Sequence, residues 1–210
     1  MSYIPSDAVT QKVGSNKGVT SINEQYNLVQ KDEYPVLGDL VLIETQEVSN
    51  VANVQFTNLK GGAIRDYNTL FLTFVNVEGA NDNVDLEMRV HVDGEEQSGA
   101  SDYSRARRLR EGGSGAHQDK DPDLHQLKIS GELGNATGEC LNGYMYIFNH
   151  ANGFETNFVY SFVQQMYNDV HQNGYAIGGY EQRKVIDGFR LYFGSGNLSG
   201  KFSLYGVQYS

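Results

Sequence analysis

Four arginines, Arg105, Arg107, Arg108 and Arg110, form the densest cationic run of a 210-residue chain whose formal net charge is -10. Guanidinium groups grip carboxylate, sulfate and phosphate through paired N–H donors, so the run offers ion pairing or anion recognition. In an extended strand Arg105 and Arg107 share one face while Arg108 and Arg110 share the other, which argues against a single phosphate cradle. Glu95, Glu96, Asp102 and Glu111 lie close in sequence and can neutralise them. Ion pairing within the subunit or across a subunit interface is the first reading of these candidate partner-binding residues. Recognition of a polyanion is the second.

Asp119, Asp121 and Asp123 are spaced like the first three ligands of a calcium loop. The sixth position is Leu124 instead of glycine and the twelfth is Ser130, so the segment is no EF-hand. A solvated acidic turn at Pro122 is the simpler reading, and Asn81-Asp82-Asn83 with Asp85 reads as a loop tip. The five histidines, at 91, 117, 125, 150 and 171, never fall into a metal-ligand pattern such as H-E-x-x-H. No Gly-x-Ser-x-Gly elbow, P-loop or dinucleotide fingerprint is present. A glycosidase-type carboxylate pair is a matter of spatial proximity that spacing alone does not test. Without Trp, sugar stacking would fall to Tyr144, Tyr146, Tyr175, Tyr180 and Tyr205, most of which read first as core or sheet-surface packing. No catalytic residue, metal site or cofactor is expected.

The elements that must position these groups are strands. With 14 Tyr, 10 Phe, 24 Gly and 3 Pro, the composition favours strands and tight turns over helices. The chain is long enough for one domain with a sizeable core, or a domain plus an appendage. Its acidity, with a pI near 4.9, argues against nucleic-acid binding. The single cysteine, Cys140, excludes an intramolecular disulfide and reads as a small buried side chain. Met1-Ser2-Tyr3-Ile4-Pro5 lacks the form of a signal peptide and no run is long enough to span a bilayer, so we expect synthesis in a reducing cytoplasm and no membrane insertion.

Residues 1–35 read as an N-terminal arm, and 36–210 as the main domain. Within the arm Ser21-Ile22-Asn23-Glu24 is a capping-box pattern, and Ile22, Tyr26 and Val29 follow at helical spacing before Pro35. So short a helix needs a surface to dock on, which makes Ile22, Tyr26 and Val29 candidate partner-binding residues. That surface is a neighbouring subunit or the chain's own domain.

From Leu37 onward strand follows strand. Thr69 to Val77 is almost continuously apolar or β-branched, as expected of a strand covered on both sides. Val84, Leu86, Met88, Val90 and Val92 alternate with Asp85, Glu87, Arg89 and His91, the pattern of a half-buried strand. Arg105 to Asp123 breaks this pattern and reads as a long Gly-rich loop inserted between two strands. Phe189, Leu191 and Phe193, then Gly194-Ser195-Gly196-Asn197, then Phe202 and Leu204, read as a closing β-hairpin with an aromatic inner face. Some ten or eleven strands in this order predict an all-β, jelly-roll-like antiparallel sandwich.

The stretches Val48-Ser49-Asn50-Val51-Ala52-Asn53-Val54-Gln55-Phe56-Thr57, Asp66-Tyr67-Asn68-Thr69-Leu70, Leu141-Asn142-Gly143-Tyr144-Met145-Tyr146-Ile147-Phe148-Asn149 and Leu204-Tyr205-Gly206-Val207 resemble β-sandwich domains of tailed-bacteriophage virion proteins, over most of 40–207. Gly18 to Tyr26 with Glu33-Tyr34-Pro35 looks like a leader common in phage tail and particle proteins. The Arg105–Asp123 segment departs from that pattern, which has a shorter polar loop there. The resemblance implies a non-catalytic structural protein of the virion, assembled in the host cytoplasm. It would dock through its arm and contact other virion proteins and copies of itself. A tail protein binding a host receptor or glycan is one alternative, through the loops at 78–83, 94–103 and 111–123. A polysaccharide depolymerase is the other.

Overall fold

The computed structural model describes residues 11–12, 15–16, 40–59, 67–113 and 115–207. The chain divides into two units at Leu37 and Gly38. In the first, β1 (Gln11–Lys12) and β2 (Ser15–Asn16) form a short antiparallel pair. The expected helix, with Ile22, Tyr26 and Val29, lies outside the described residues, as does Asp66.

The second unit is all-β, and every strand pair in it is antiparallel. Its strands are β3 (Leu40–Val51), β4 (Val54–Phe56), β5 (Thr69–Gly79), β6 (Leu86–Val92), β7 (Glu95–Glu96), β8 (Tyr103–Glu111), β9 (Gly115–Leu124), β10 (Leu127–Lys128), β11 (Leu141–Phe148), β12 (Thr156–Gln165), β13 (His171–Tyr180), β14 (Gly188–Phe193) and β15 (Leu198–Val207). Eight form one sheet in the order β3-β15-β5-β11-β12-β13-β8-β9, and β10-β6-β14-β4 form the other, with β7 on the end of β6. Asp93 and Gly94, both at positive φ, make the two-residue turn from β6 to β7 that such a tight connection requires.

Alternation builds the core. Leu86, Met88 and Val90 on β6 with Phe189, Leu191 and Phe193 on β14 face Leu70, Leu72, Phe74, Phe158, Phe202 and Leu204 of the larger sheet, all of them buried. Burying a side chain of this size contributes roughly 1.5–3 kcal/mol, so the two inner faces hold the layers together.

The expected closing hairpin is absent. β14 pairs with β6 and β4, whereas β15 pairs with β3 and β5. Gly194 to Asn197 therefore carries the chain from one sheet to the other. The five apolar residues are core as expected, but they meet across the sandwich. Two sheets packed face to face bury both sets, and the turn residues are the same for either connection.

The expected covering of two strands is reversed. β5 is shielded on its inner side alone, and Val75 on its outer side is 42% exposed. β6 is enclosed on both sides, because Glu87 and His91 on its outer side are also buried. Arg89 there donates to Glu96 at 2.7 Å and Gln126 at 2.9 Å. Glu96 also pairs with Arg190 at 3.0 Å, and the Arg190 guanidinium lies 4.3 Å from the centre of the Tyr192 ring. Polar side chains with partners can be buried as effectively as apolar ones.

Candidate functional site

The segment that reads as a long loop is a strand. β8 and β9 pair as a hairpin from Glu111 opposite Gly115, with Arg105 opposite Asp121, Arg107 opposite Asp119, Arg108 opposite Gln118 and Arg110 opposite Ala116. Strand alternation then sorts the arginines as expected, two to each face.

Arg105 and Arg107 point inward. Arg107 Nε donates to both carboxylate oxygens of Asp119, at 3.0 and 2.9 Å, and Nη1 donates to Ser130 O at 3.0 Å. Arg105 Nη2 lies 3.3 Å from Asp119 Oδ2, and Nη1 reaches Lys128 O at 3.4 Å. That same carbonyl accepts from the Tyr160 hydroxyl at 2.9 Å. Burial, then the neighbouring Arg107 cation, pulls the Arg105 guanidinium below its ordinary value. Burial likewise pushes the Tyr160 phenol up. These two arginines tie β8 and β9 to the 128–130 segment, and Asp119 is the shared anion.

The acidic neighbours singled out in the sequence do other work. Glu96 serves Arg89 and Arg190, the Asp102 carboxylate accepts from Gly99 N at 2.6 Å, and Glu111 accepts from Gln172 at 3.0 Å. Asp119 and Asp121 lie on the inner face of β9 about 6.8 Å apart, whereas the register shifts between Asp121 and Leu124, and the Asp121 carboxylate there accepts from Asp123 N at 3.2 Å. Among the described residues no group of three His, Cys, Asp or Glu side chains is placed to hold a metal. Asp85 meets Lys128 at 3.0 Å and accepts from Glu132 N. Burial raises the Glu87 carboxyl above its ordinary 4.5, against the pull of Gln126 and Lys128.

Arg108 and Arg110 point to the outer face of the eight-stranded sheet and make no ion pair among the described residues. That face carries a continuous cross-strand row: Leu42, Tyr205, Phe71, Tyr146, Val159, Ile177, Ala106 and Lys120. At one end Phe71 lies 4.7 Å from Tyr146, 5.8 Å from Tyr144 and 6.2 Å from Tyr205, ring centre to ring centre. Leu42, Tyr175 and Ile177 are 56%, 60% and 58% exposed. From Leu42 to Ile177 the row is apolar or aromatic, and Ala106 and Lys120 end it.

Of the tyrosines considered for stacking, Tyr144, Tyr146, Tyr175 and Tyr205 lie on this face, while Tyr180 is buried. Sequence reasoning missed Leu42, Phe71, Val159 and Ile177. The available signal was apolar residues on both parities of one strand: Phe71 and Val75 beside Leu70 and Leu72, Val159 and Val163 beside Phe158 and Phe162, and Tyr175 and Ile177 beside Ala176. Ile22, Tyr26 and Val29 lie outside the described residues. No family model, curated protein or solved structure matches this chain.

Proposed function

We propose that the chain is a non-catalytic structural protein of a tailed-phage virion: a jelly-roll-like sandwich that assembles with copies of itself and other particle proteins and docks through its N-terminal arm. The observation that carries this reading is the outer aromatic cluster of Phe71, Tyr144, Tyr146 and Tyr205, continued to the sheet edge by the exposed Leu40 and Leu42. Aromatic and aliphatic side chains left in water on a flat sheet gain most by meeting another protein surface. The resemblance of residues 40–207 to virion sandwiches supplies the particle.

Three measurements test it. Mass spectrometry of purified particles should find the chain at a fixed copy number, and its absence from particles overturns the assignment. Light scattering of the purified protein should show an oligomer that Phe71→Asp with Tyr146→Asp reduces to monomer. An unchanged mass in a folded double variant removes the aromatic cluster from assembly. Removal of residues 1–35 should abolish incorporation into particles while leaving a folded domain.

A further inference from the structure

The other end of the same face has a different chemistry, and it does not depend on the assembly reading. Across β13, β8 and β9 three registered rows face outward: Asn173–Arg110–Ala116, Tyr175–Arg108–Gln118 and Ile177–Ala106–Lys120. Tyr175, at 60% exposure, lines two depressions. One, of about 530 Å³, is bounded by Tyr175, Ile177, Arg108, Gln118 and Lys120, and also by Asp119, whose carboxylate is taken up by Arg107. The other, of about 250 Å³, is bounded by Tyr175, Arg108, Arg110, Asn173 and Ser161. Both therefore combine the flank of one aromatic ring, the Arg108 guanidinium, a second cation and amide or hydroxyl groups. Arg108 Nε is buried without a hydrogen-bond partner, and Arg108, Arg110 and Lys120 have no carboxylate within ion-pair distance among the described residues.

Three unpaired cations on one small patch are anomalous in a chain of net charge -10. Were they present for solubility, acidic residues would serve as well, and were they structural they would be paired as Arg105 and Arg107 are. We infer that this patch binds an acidic oligosaccharide, one whose sugar units carry carboxylate or sulfate groups. A pyranose presents an apolar face that stacks on Tyr175 and Ile177. Its charged group meets the forked donors of Arg108 and Arg110 or the ammonium of Lys120. Gln118, Asn173 and Ser161 supply hydrogen bonds to ring hydroxyls. Two depressions sharing one aromatic wall suit consecutive units of a chain. A nucleic acid is disfavoured, because an acidic protein with three cations on a short patch cannot neutralise a phosphate track.

The test is titration calorimetry of the full-length protein at low ionic strength with polygalacturonate fragments, dextran sulfate and uncharged dextran. The first two distinguish carboxylate from sulfate, and uncharged dextran should give no heat. We expect binding of one or both acidic polymers, weakened about tenfold by Arg108→Ala and by Tyr175→Ala, and unchanged in Lys201→Ala, a charge control elsewhere on the same face. Thermal melts establish that each variant is folded. No binding by either acidic polymer overturns the inference, as does binding that Tyr175→Ala leaves intact, since the attraction is then charge alone. A change in oligomeric mass in the Arg108 and Tyr175 variants without a change in polymer binding overturns it in favour of a protein interface.

Discussion

Arg105 and Arg107 differ from Arg108 and Arg110 in the parity of their positions and in nothing else that the strand itself provides. One pair faces the sandwich, shares the Asp119 carboxylate and reaches the carbonyls of Lys128 and Ser130. The other faces water beside Tyr175 and Asn173. Side-chain type therefore says little about role here: the inward pair is held by partners on other strands, and the outward pair is left for something outside the molecule. That difference can be broken from either side.

The largest effect is expected at Arg107. Truncating Arg107→Ala removes the Arg107 donors to Asp119, leaving it Arg105 alone, and takes the Arg107 donor from the Ser130 carbonyl. A fully buried ion pair costs about 3–5 kcal/mol when broken. Asp119 is 36% exposed, so water can partly compensate and we expect roughly 2–3 kcal/mol. For a domain of this size that is a fall in Tm of about 5–10 °C, measured by calorimetry. Asp119→Ala is next, at about 1–2 kcal/mol, since Arg107 keeps Ser130 O and Arg105 keeps Lys128 O. If Asp119→Ala matched Asp121→Ala, the shared-anion role would be wrong.

How much of this was legible depends on how local the signal is. Period-two alternation identifies the inner residues of β6 and β14 because a strand's parity is written in its own residues. It also separates the two arginine pairs. The partner of Arg107 was not legible, because Gly112, Gly113 and Gly115 read as a loop and hid the register that sets Asp119 opposite it. Pro122 strengthened that reading, yet β9 is an edge strand, where a missing N–H interrupts no ladder. The crossing at Gly194 to Asn197 was hidden for a related reason: a turn motif specifies a reversal, and whether the next strand pairs beside or across depends on distant strands. The covering of β6 was masked by Glu87 and His91, whose types favour solvent until their partners are known.

Glu87 offers a smaller, pH-dependent effect on the opposite face from the arginine patch. Burial raises its folded-state pKa above 4.5, so the folded protein holds this proton more tightly than the unfolded chain does. Stability from this group is full below the unfolded value and is lost as pH rises from there through the folded one. Glu87→Gln retains an acceptor for Gln126 and cannot ionise. Its Tm should equal that of the parent near pH 4 and exceed it near pH 7, with the gap opening between. Parallel melting curves across that range would show that the buried carboxyl carries no such cost.

The smallest effect on stability belongs to the outward arginines, and it completes the contrast. Neither Arg108 nor Arg110 makes an ion pair among the described residues, so Arg108→Ala and Arg110→Ala should each change stability by no more than about 0.5 kcal/mol. Arg108 packs its stem beside Tyr175, and some loss of apolar contact is expected from it. Removing a cation from a chain of net charge -10 adds a small general repulsion, screened at physiological salt. Urea melts of the two variants beside Arg107→Ala then place all three on one scale. If Arg108→Ala lost as much as Arg107→Ala, its guanidinium would be holding the fold, and the division of one strand into a structural face and a contact face would fail. A near-zero change would leave the side chain with no structural task, which is the condition a binding residue on a stable scaffold must meet.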